Sequence, residues 1–296
     1  MSARVSAGGA AAATGMDFQH RVAAWVAVHI LAEKGASPPW SLPSGTSLEW
    51  LRCETEQPVD DLLVGASTGG LIFVQVKRTL SLERAPDSDL ASTLEQFVRQ
   101  FIIYRNRNGG KQPWDRPLDP DKDRLVLITS PRSSEPIRRH LLNVLHRVRD
   151  LPQTQSMEST ATNEEERRAL EVTLIHIRES WREVLNEDPS EEDLRLLLSL
   201  IFVQELDVES GGVGEHEAKN LLRSVILRDP DQADLAWEKL INLCARYAAE
   251  RSGADRVTLQ RELLHSDFDL KTTRSYEDDV EELRKHSRRT LNALQH

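Results

Sequence analysis

Residues 54–78 read ETEQPVDDLLVGASTGGLIFVQVKR, and this stretch decides how the chain folds. Two apolar runs, residues 59–64 and 71–79, flank a Gly/Ser/Thr turn at 65–70, which is the pattern of a β-hairpin. A strand sends successive side chains to opposite faces. On the second run Leu71, Phe73, Gln75 and Lys77 therefore share one face, and Ile72, Val74 and Val76 share the other. Asp60 and Asp61 open the first run, and alternation allows only one of them to share the face of Gln75 and Lys77. An acid, an amide and an amine are thus expected side by side at one end of the hairpin.

Working outward, residues 16–34 carry Phe18, Val22, Trp25, Val26 and Ile30 at helical spacing, and Gly35 and Pro38-Pro39 stop that helix. Residues 48–55 form a weaker strand candidate. Residues 88–107 are a helix with Leu90, Leu94, Phe97, Val98 and Phe101 on one stripe, ended by Asn108-Gly109-Gly110. Residues 125–129 have the length and apolarity of a buried strand, and 135–149 form another helix. Helix, three strands, helix, strand and helix in that order imply a mixed sheet with helices packed on it. Residues 151–163 are polar and aperiodic, as a linker would be. Everything after 164 reads as helix, with segments at 164–186, 190–204, 215–227, 232–252, 255–265 and 276–294. Ser190 followed by three acids is a helix N-terminus signature.

The 296 residues suffice for one large domain or two modest ones. Residues 1–15, rich in Ala, Gly and Ser, read as a disordered tail and lack the apolar core of a signal peptide. No run is long and apolar enough to span a membrane. The two cysteines, Cys53 and Cys244, stand far apart in the sequence, so a reducing, cytoplasmic location is the default. Net charge is −10. Residues 1–150 hold 19 basic and 17 acidic side chains, so the acidic excess belongs to the second half and the first half leaves room for a nucleic acid. No P-loop, nucleophile elbow or zinc-protease motif is present.

The chemistry that wants such a hairpin is metal-assisted phosphodiester hydrolysis. Mg²⁺ or Mn²⁺ takes oxygen ligands and needs only one or two carboxylates. A neutral amide oxygen, here from Gln75, can add to them, and Lys77 supplies a compact positive charge beside the phosphate. Surface decoration by a few charged residues would leave the same pattern.

The run E-x-E-x-x-V-D-D-L-L-V, the turn and I-F-V-Q-V-K resemble the PD-(D/E)XK nuclease superfamily. Within it they look like the double-stranded-DNA endonuclease domain of bacterial antiphage effectors of the CD-NTase-associated type. Gly15-Met16-Asp17-Phe18-Gln19 loosely matches the start of that domain's first helix. The resemblance spans about residues 15–150. It implies a restriction-endonuclease-like α/β domain, a mixed central sheet flanked by helices. It places the metal-binding acid at Asp61, favoured, or Asp60, the Q-x-K half-motif at Gln75 and Lys77, and an upstream acid at Glu54 or at the position of Gln19. Val59 stands where the family has proline, and Gln75 where it more often has an acid, which weakens metal affinity by one negative ligand. The domain expectation is a tail at 1–15, the nuclease-like domain at 16–150, a linker at 151–163 and an all-α C-terminal module at 164–296.

Arg78, Arg99, Arg105 and Arg107 are candidate DNA contacts, against the alternative of a solvated helix face. The helical half is expected to serve oligomerisation or docking of a sensor or NTPase partner chain. The expectation is a Mg²⁺-dependent endonuclease acting on double-stranded DNA in antiphage defence, restrained until assembled. The competing reading is an inactive nuclease fold that binds DNA or protein as a scaffold.

Overall fold

The computed structural model describes residues 3–33, 36–37, 39–105, 116–152 and 154–271. Helix α1 (Ala3–Ala32) is followed by β1 (Leu48–Cys53), β2 (Leu62–Ala66) and β3 (Leu71–Lys77), then α2 (Asp89–Arg105) and β4 (Arg124–Thr129). A π turn at Pro136–Leu141 leads into α3 (Leu142–Arg149), and α4 (Glu164–Leu185) and α5 (Glu191–Leu200) precede β5 (Ile201–Glu205). Helices α6 (Val213–Leu221) and α7 (Ala233–Ala249), the short β6 (Gly253–Asp255) and α8 (Arg256–Leu264) complete the order.

All six strands form one mixed sheet in the order β5-β4-β3-β2-β1-β6. The hairpin places β2 antiparallel to both β1 and β3, while β3, β4 and β5 run parallel. Parallel neighbours need crossovers, and α2 and then α3–α5 provide them. These helices bury Phe97, Phe101, Trp181 and Leu197 against Leu63, Phe73, Leu125 and Leu127 on one face of the sheet. On the other face α1 and α7 bury Trp25, Val26, Trp237 and Leu240 against Leu62, Val64, Ile72 and Val126. The alternation of β3 sorts its residues between these two cores, as period 2 requires.

The hairpin needs glycine twice, once in the turn and once in β2. Gly69 sits at φ +73°, a conformation other residues adopt only with strain. A side chain on Gly65 would collide with the Trp50 ring, which lies against it.

Three expectations are corrected. The stretch read as a disordered tail, residues 1–15, is helical from Ala3, since its alanines are the best helix formers. The stretch read as a linker, 151–163, contains a 3-10 turn at Met157–Thr160 that buries Met157. The all-α module at 164–296 is not all-α: it supplies β5 and β6, the two outer strands of the same sheet. The predicted helix over 190–204 ends at Leu200 because Ile201, Phe202 and Val203 pair with Leu125, Val126 and Leu127. The Arg149 guanidinium lies 3.8 Å from the Phe202 ring centroid and that of Arg124 4.9 Å, so cation–π contacts hold this outer strand. Strand β6 has no β-forming residue and exists through pairing with β1. The helix expected at 276–294 lies outside the described residues.

The cysteines share one core: Cys53 ends β1 and Cys244 lies on α7, both buried free thiols, and burial raises the titration of each.

A fragment ending at residue 150 lacks both outer strands and the α4, α5 and α7 halves of the two cores. It is expected to show no cooperative thermal transition by circular dichroism; a sharp melt of that fragment would show that the two halves are separate domains.

Candidate active site

The C-terminal ends of β1 and β3 and the start of β2 meet at one end of the sheet, because Cys53 pairs with Leu62 and Leu62 with Val74. Strand β2 begins three residues after Val59, so Asp60 and Asp61 lie in the loop before it. That loop is tied to β1 by Glu54 N–H to the Asp61 carbonyl at 3.1 Å and Thr55 N–H to the Asp60 carbonyl at 2.8 Å. Glu54 turns the corner at φ +49°, a left-handed conformation that costs a non-glycine residue about 1 kcal/mol or more.

Asp61 is the acid that reaches Gln75. Its Oδ2 accepts from Gln75 Nε2 at 2.6 Å and from the Val76 backbone N–H at 2.7 Å. Gln19, from α1, donates through Nε2 to Glu54 Oε1 at 2.7 Å and more weakly to Asp61 Oδ1 at 3.4 Å. Asp60 turns the other way, toward Gln96 on α2, whose Nε2 lies 3.5 Å from its Oδ1. Lys77 is the last residue of β3 and half-buried. Its charge acts on Asp61, and among the described residues no carboxylate lies within ion-pairing distance of its Nζ. The structure thus gathers Glu54, Asp61, Gln75 and Lys77, with Asp60 on the flank.

Burial pushes the Asp61 carboxyl up to about 7, and the charges of Asp60 and Glu54 add to the rise, while the Val76 N–H and Lys77 oppose it. Burial likewise lowers His20, on α1, against the opposing pull of Asp17 and Glu54. Gln75 is 3% exposed and spends its Nε2 on Asp61, which leaves Oε1 buried without a hydrogen-bond partner. A buried acceptor in that state costs on the order of 1–3 kcal/mol. A divalent cation beside Asp61 and Gln75 would relieve both penalties, so the residues present fit one. Among the described residues no three His, Cys, Asp or Glu side chains converge as a ligand cluster. Any such ion would therefore depend on the Gln75 amide oxygen and on water as well as carboxylates.

Gln96 and Gln100 of α2 are not among the site residues nominated from the sequence. With Tyr104 they form a polar stripe along α2 that grips the acid-bearing loop. Gln100 Oε1 accepts from the Val59 N–H at 3.2 Å, and Gln57 Oε1 accepts from Gln100 Nε2 at 3.3 Å and from the Tyr104 hydroxyl at 3.1 Å. The i, i+4, i+8 spacing of Gln96, Gln100 and Tyr104 was the available signal.

The arginines nominated for DNA are engaged elsewhere. Arg99 pairs with Glu95 at 2.7 Å, Arg105 with Asp193 at 2.8 Å and Arg78 with Glu209 at 2.5 Å. Arg107 lies outside the described residues.

No protein-family model matches the chain. No curated protein matches it in sequence. Among solved structures, the Cap4 SAVED/CARF-domain-containing receptor of Acinetobacter baumannii with the cyclic trinucleotide 3'3'3'-cAAA is similar at a TM-score of 0.46 and 12% identity, over 85% of this chain and 44% of that one. The Cap4 SAVED/CARF-domain-containing receptor of Moraxella osloensis is similar at a TM-score of 0.45 and 12% identity, over 85% and 47%. The chain spans less than half the length of these receptors, and similarity this low carries no argument about fold or function. No described helix is long and apolar enough to cross a membrane.

The raised Asp61 carboxyl has a consequence for stability. Unfolded, it titrates near 3.8; folded, near 7, so between these values the folded state holds the extra proton. Without metal, stability should therefore fall as pH rises from about 4 to about 7 and then level off, by at most about 4 kcal/mol. Asp61→Asn keeps one oxygen for Gln75 and Val76 but cannot ionise. It is expected to lose that slope and to melt above the wild type at pH 8 in EDTA by differential scanning fluorimetry. Added Mg²⁺ or Mn²⁺ should raise the wild-type melting temperature and leave the variant unmoved. Parallel pH profiles of the two proteins would refute the assignment.

Proposed function

We propose that this chain is a Mg²⁺-dependent endodeoxyribonuclease of the PD-(D/E)XK type acting on double-stranded DNA. The observation that carries the reading is the half-buried Asp61 carboxylate bonded to Gln75, whose own buried Oε1 lacks a partner, with Lys77 at the end of the same strand. That is the acid, amide and amine set which the sequence resemblance calls for, gathered at one end of a sheet.

Asp61 and Gln75 Oε1 would hold the ion, with Asp60 or Glu54 adding charge. Mg²⁺ or Mn²⁺ there supplies neutralisation of the phosphoryl oxygens and a more acidic bound water. Lys77 holds a positive charge where the scissile phosphate lies and orients it. Asp61, its carboxyl raised to about 7, would be more fully ionised with a cation beside it, so a bound ion would strengthen the negative charge of the site. Gln19 ties Glu54 to α1 and fixes the left-handed corner from which the loop departs. The α2 stripe keeps Asp60 and Asp61 from exchanging roles.

An enzyme of this kind harms its own host unless restrained. The antiphage role implied by the sequence resemblance therefore comes with weak activity of the isolated chain and activation by self-assembly or by a sensor or NTPase partner chain. A cytoplasmic site of action is part of the same reading.

Nicking of supercoiled plasmid with Mg²⁺ is the direct assay. Lys77→Ala and Asp61→Asn are each expected to lower it about 100-fold or more, with melting curves showing intact folds. Equal nicking by wild type and Lys77→Ala would refute the assignment. So would an absence of nicking by the wild type under every condition of assembly, which would favour a nuclease-fold scaffold.

A further inference from the structure

Arg78 directly follows Lys77, and its carbonyl is fixed by the Ser130 hydroxyl at 2.6 Å. Its Nε donates to Glu209 Oε1 at 2.5 Å, while Arg132 Nε donates to Glu209 Oε2 at 3.1 Å. One carboxylate is thus held from two sides by guanidinium groups that leave the sheet beside β3 and beside β4. The side chains of Arg78 and Glu209 are about one-quarter exposed and that of Arg132 is 60% exposed, so the cluster opens to solvent. Glu209 arrives on the loop between β5 and α6. That loop is held by Gly214 N–H to the Asp207 carbonyl at 2.8 Å and by Gly211 N–H to Glu215 Oε2 at 2.5 Å, with Gly211 at φ +81°.

Two guanidinium groups, each donating through Nε to one of a pair of anionic oxygens, can also recognise a phosphodiester. We propose that Arg78 and Arg132 form the landing site for a DNA backbone phosphate next to Lys77, and that Glu209 occupies this site as an internal phosphate mimic until DNA displaces it. The inference rests on the nuclease reading for the identity of the anion. Geometry separates this pair from the other nominated arginines. Arg99 pairs within its own helix, and Arg105 braces α2 against α5. Arg78 alone among them adjoins the lysine at the strand end. At Glu209 itself two guanidinium groups meet a single carboxylate. The cavity of about 330 Å³ that Arg132 also lines carries Glu83, Asp87 and Asp89, which repel phosphate from that pocket.

The experiment is fluorescence anisotropy of a labelled DNA duplex with the full chain in EDTA, where binding is read without cleavage. Glu209→Gln keeps the side-chain shape and removes the competing charge. It is expected to bind about tenfold more tightly than wild type, with a salt dependence steeper by about 0.9 for each phosphate gained. Adding Arg78→Gln and Arg132→Gln should abolish the gain. Unchanged affinity in Glu209→Gln, or a triple variant that binds as tightly as the single one, would overturn the proposal. Should Glu209→Gln fail to give a native melting curve, Arg132→Gln decides, since the Arg132 side chain is 60% exposed. It is expected to bind DNA several-fold more weakly than wild type, and equal binding overturns the site. Tight Glu209-controlled binding without any nicking would defeat only the nuclease reading. Lys77-dependent nicking with no effect of Glu209→Gln would defeat only this site.

Discussion

The double hydrogen bond accepted by Asp61 Oδ2 is the contact on which the functional end of this molecule depends. One oxygen takes both the Gln75 amide and the Val76 backbone N–H. It therefore continues the β2–β3 ladder one step past Leu62 with a side chain in place of a main-chain carbonyl. The bond holds the acid-bearing loop against β3, determines which of two adjacent aspartates faces the lysine-bearing strand, and draws a carboxylate into a half-buried position. Its cost appears in the same place: the carboxyl rises to about 7 and the far oxygen of Gln75 goes without a partner. A desolvated carboxyl and an orphaned acceptor persist only where something else is gained. On the proposed reading that gain is a place for a cation.

The surrounding structure supports that bond from both faces of the sheet. From α1, Gln19 reaches Glu54 and Asp61; from α2, Gln96 and Gln100 hold Asp60 and Val59. Helix α1 is packed between the sheet and α7, and α2 between the sheet and α4, so the site is braced by long elements with buried cores. This is the support that precise positioning requires, because a displaced ligand loses much of its effect. The second half of the chain takes part as well. It closes both edges of the sheet and brings Glu209 to the arginine that follows Lys77. Assembly of the sheet and control of the charged end are thus coupled in one body.

The hairpin and its polar end were legible because they are local: period-2 alternation, a glycine-bearing turn and two carboxylates within one short stretch. The shared face of Gln75 and Lys77 followed from counting, and the family resemblance favoured Asp61 over Asp60. The helices α1, α2, α4 and α7 were legible from apolar spacing, within a few residues at their ends, save that α1 extends back to Ala3. Strand β5 was not. Leu194, Leu197, Leu198 and Ile201 keep helical spacing across the true boundary, and only pairing with β4 reveals where the chain extends. Strand β6, Gly-Ala-Asp, carries no local signal and is a strand only because β1 offers an edge. The Glu209 bridge to Arg78 and Arg132 joins residues from three loops that are remote in sequence, so no pattern within one stretch could show it. The same holds for Cys53 and Cys244.

The central claim is that Asp61 and Gln75 share a cation. A crystal of the full chain soaked in Mn²⁺, with anomalous scattering measured, tests it most directly. The account predicts an anomalous peak about 2.0–2.4 Å from an Asp61 oxygen and from Gln75 Oε1, with water completing the shell. Saturating Mn²⁺ that leaves this position without a peak, with Gln75 Oε1 still facing away from Asp61, would contradict it.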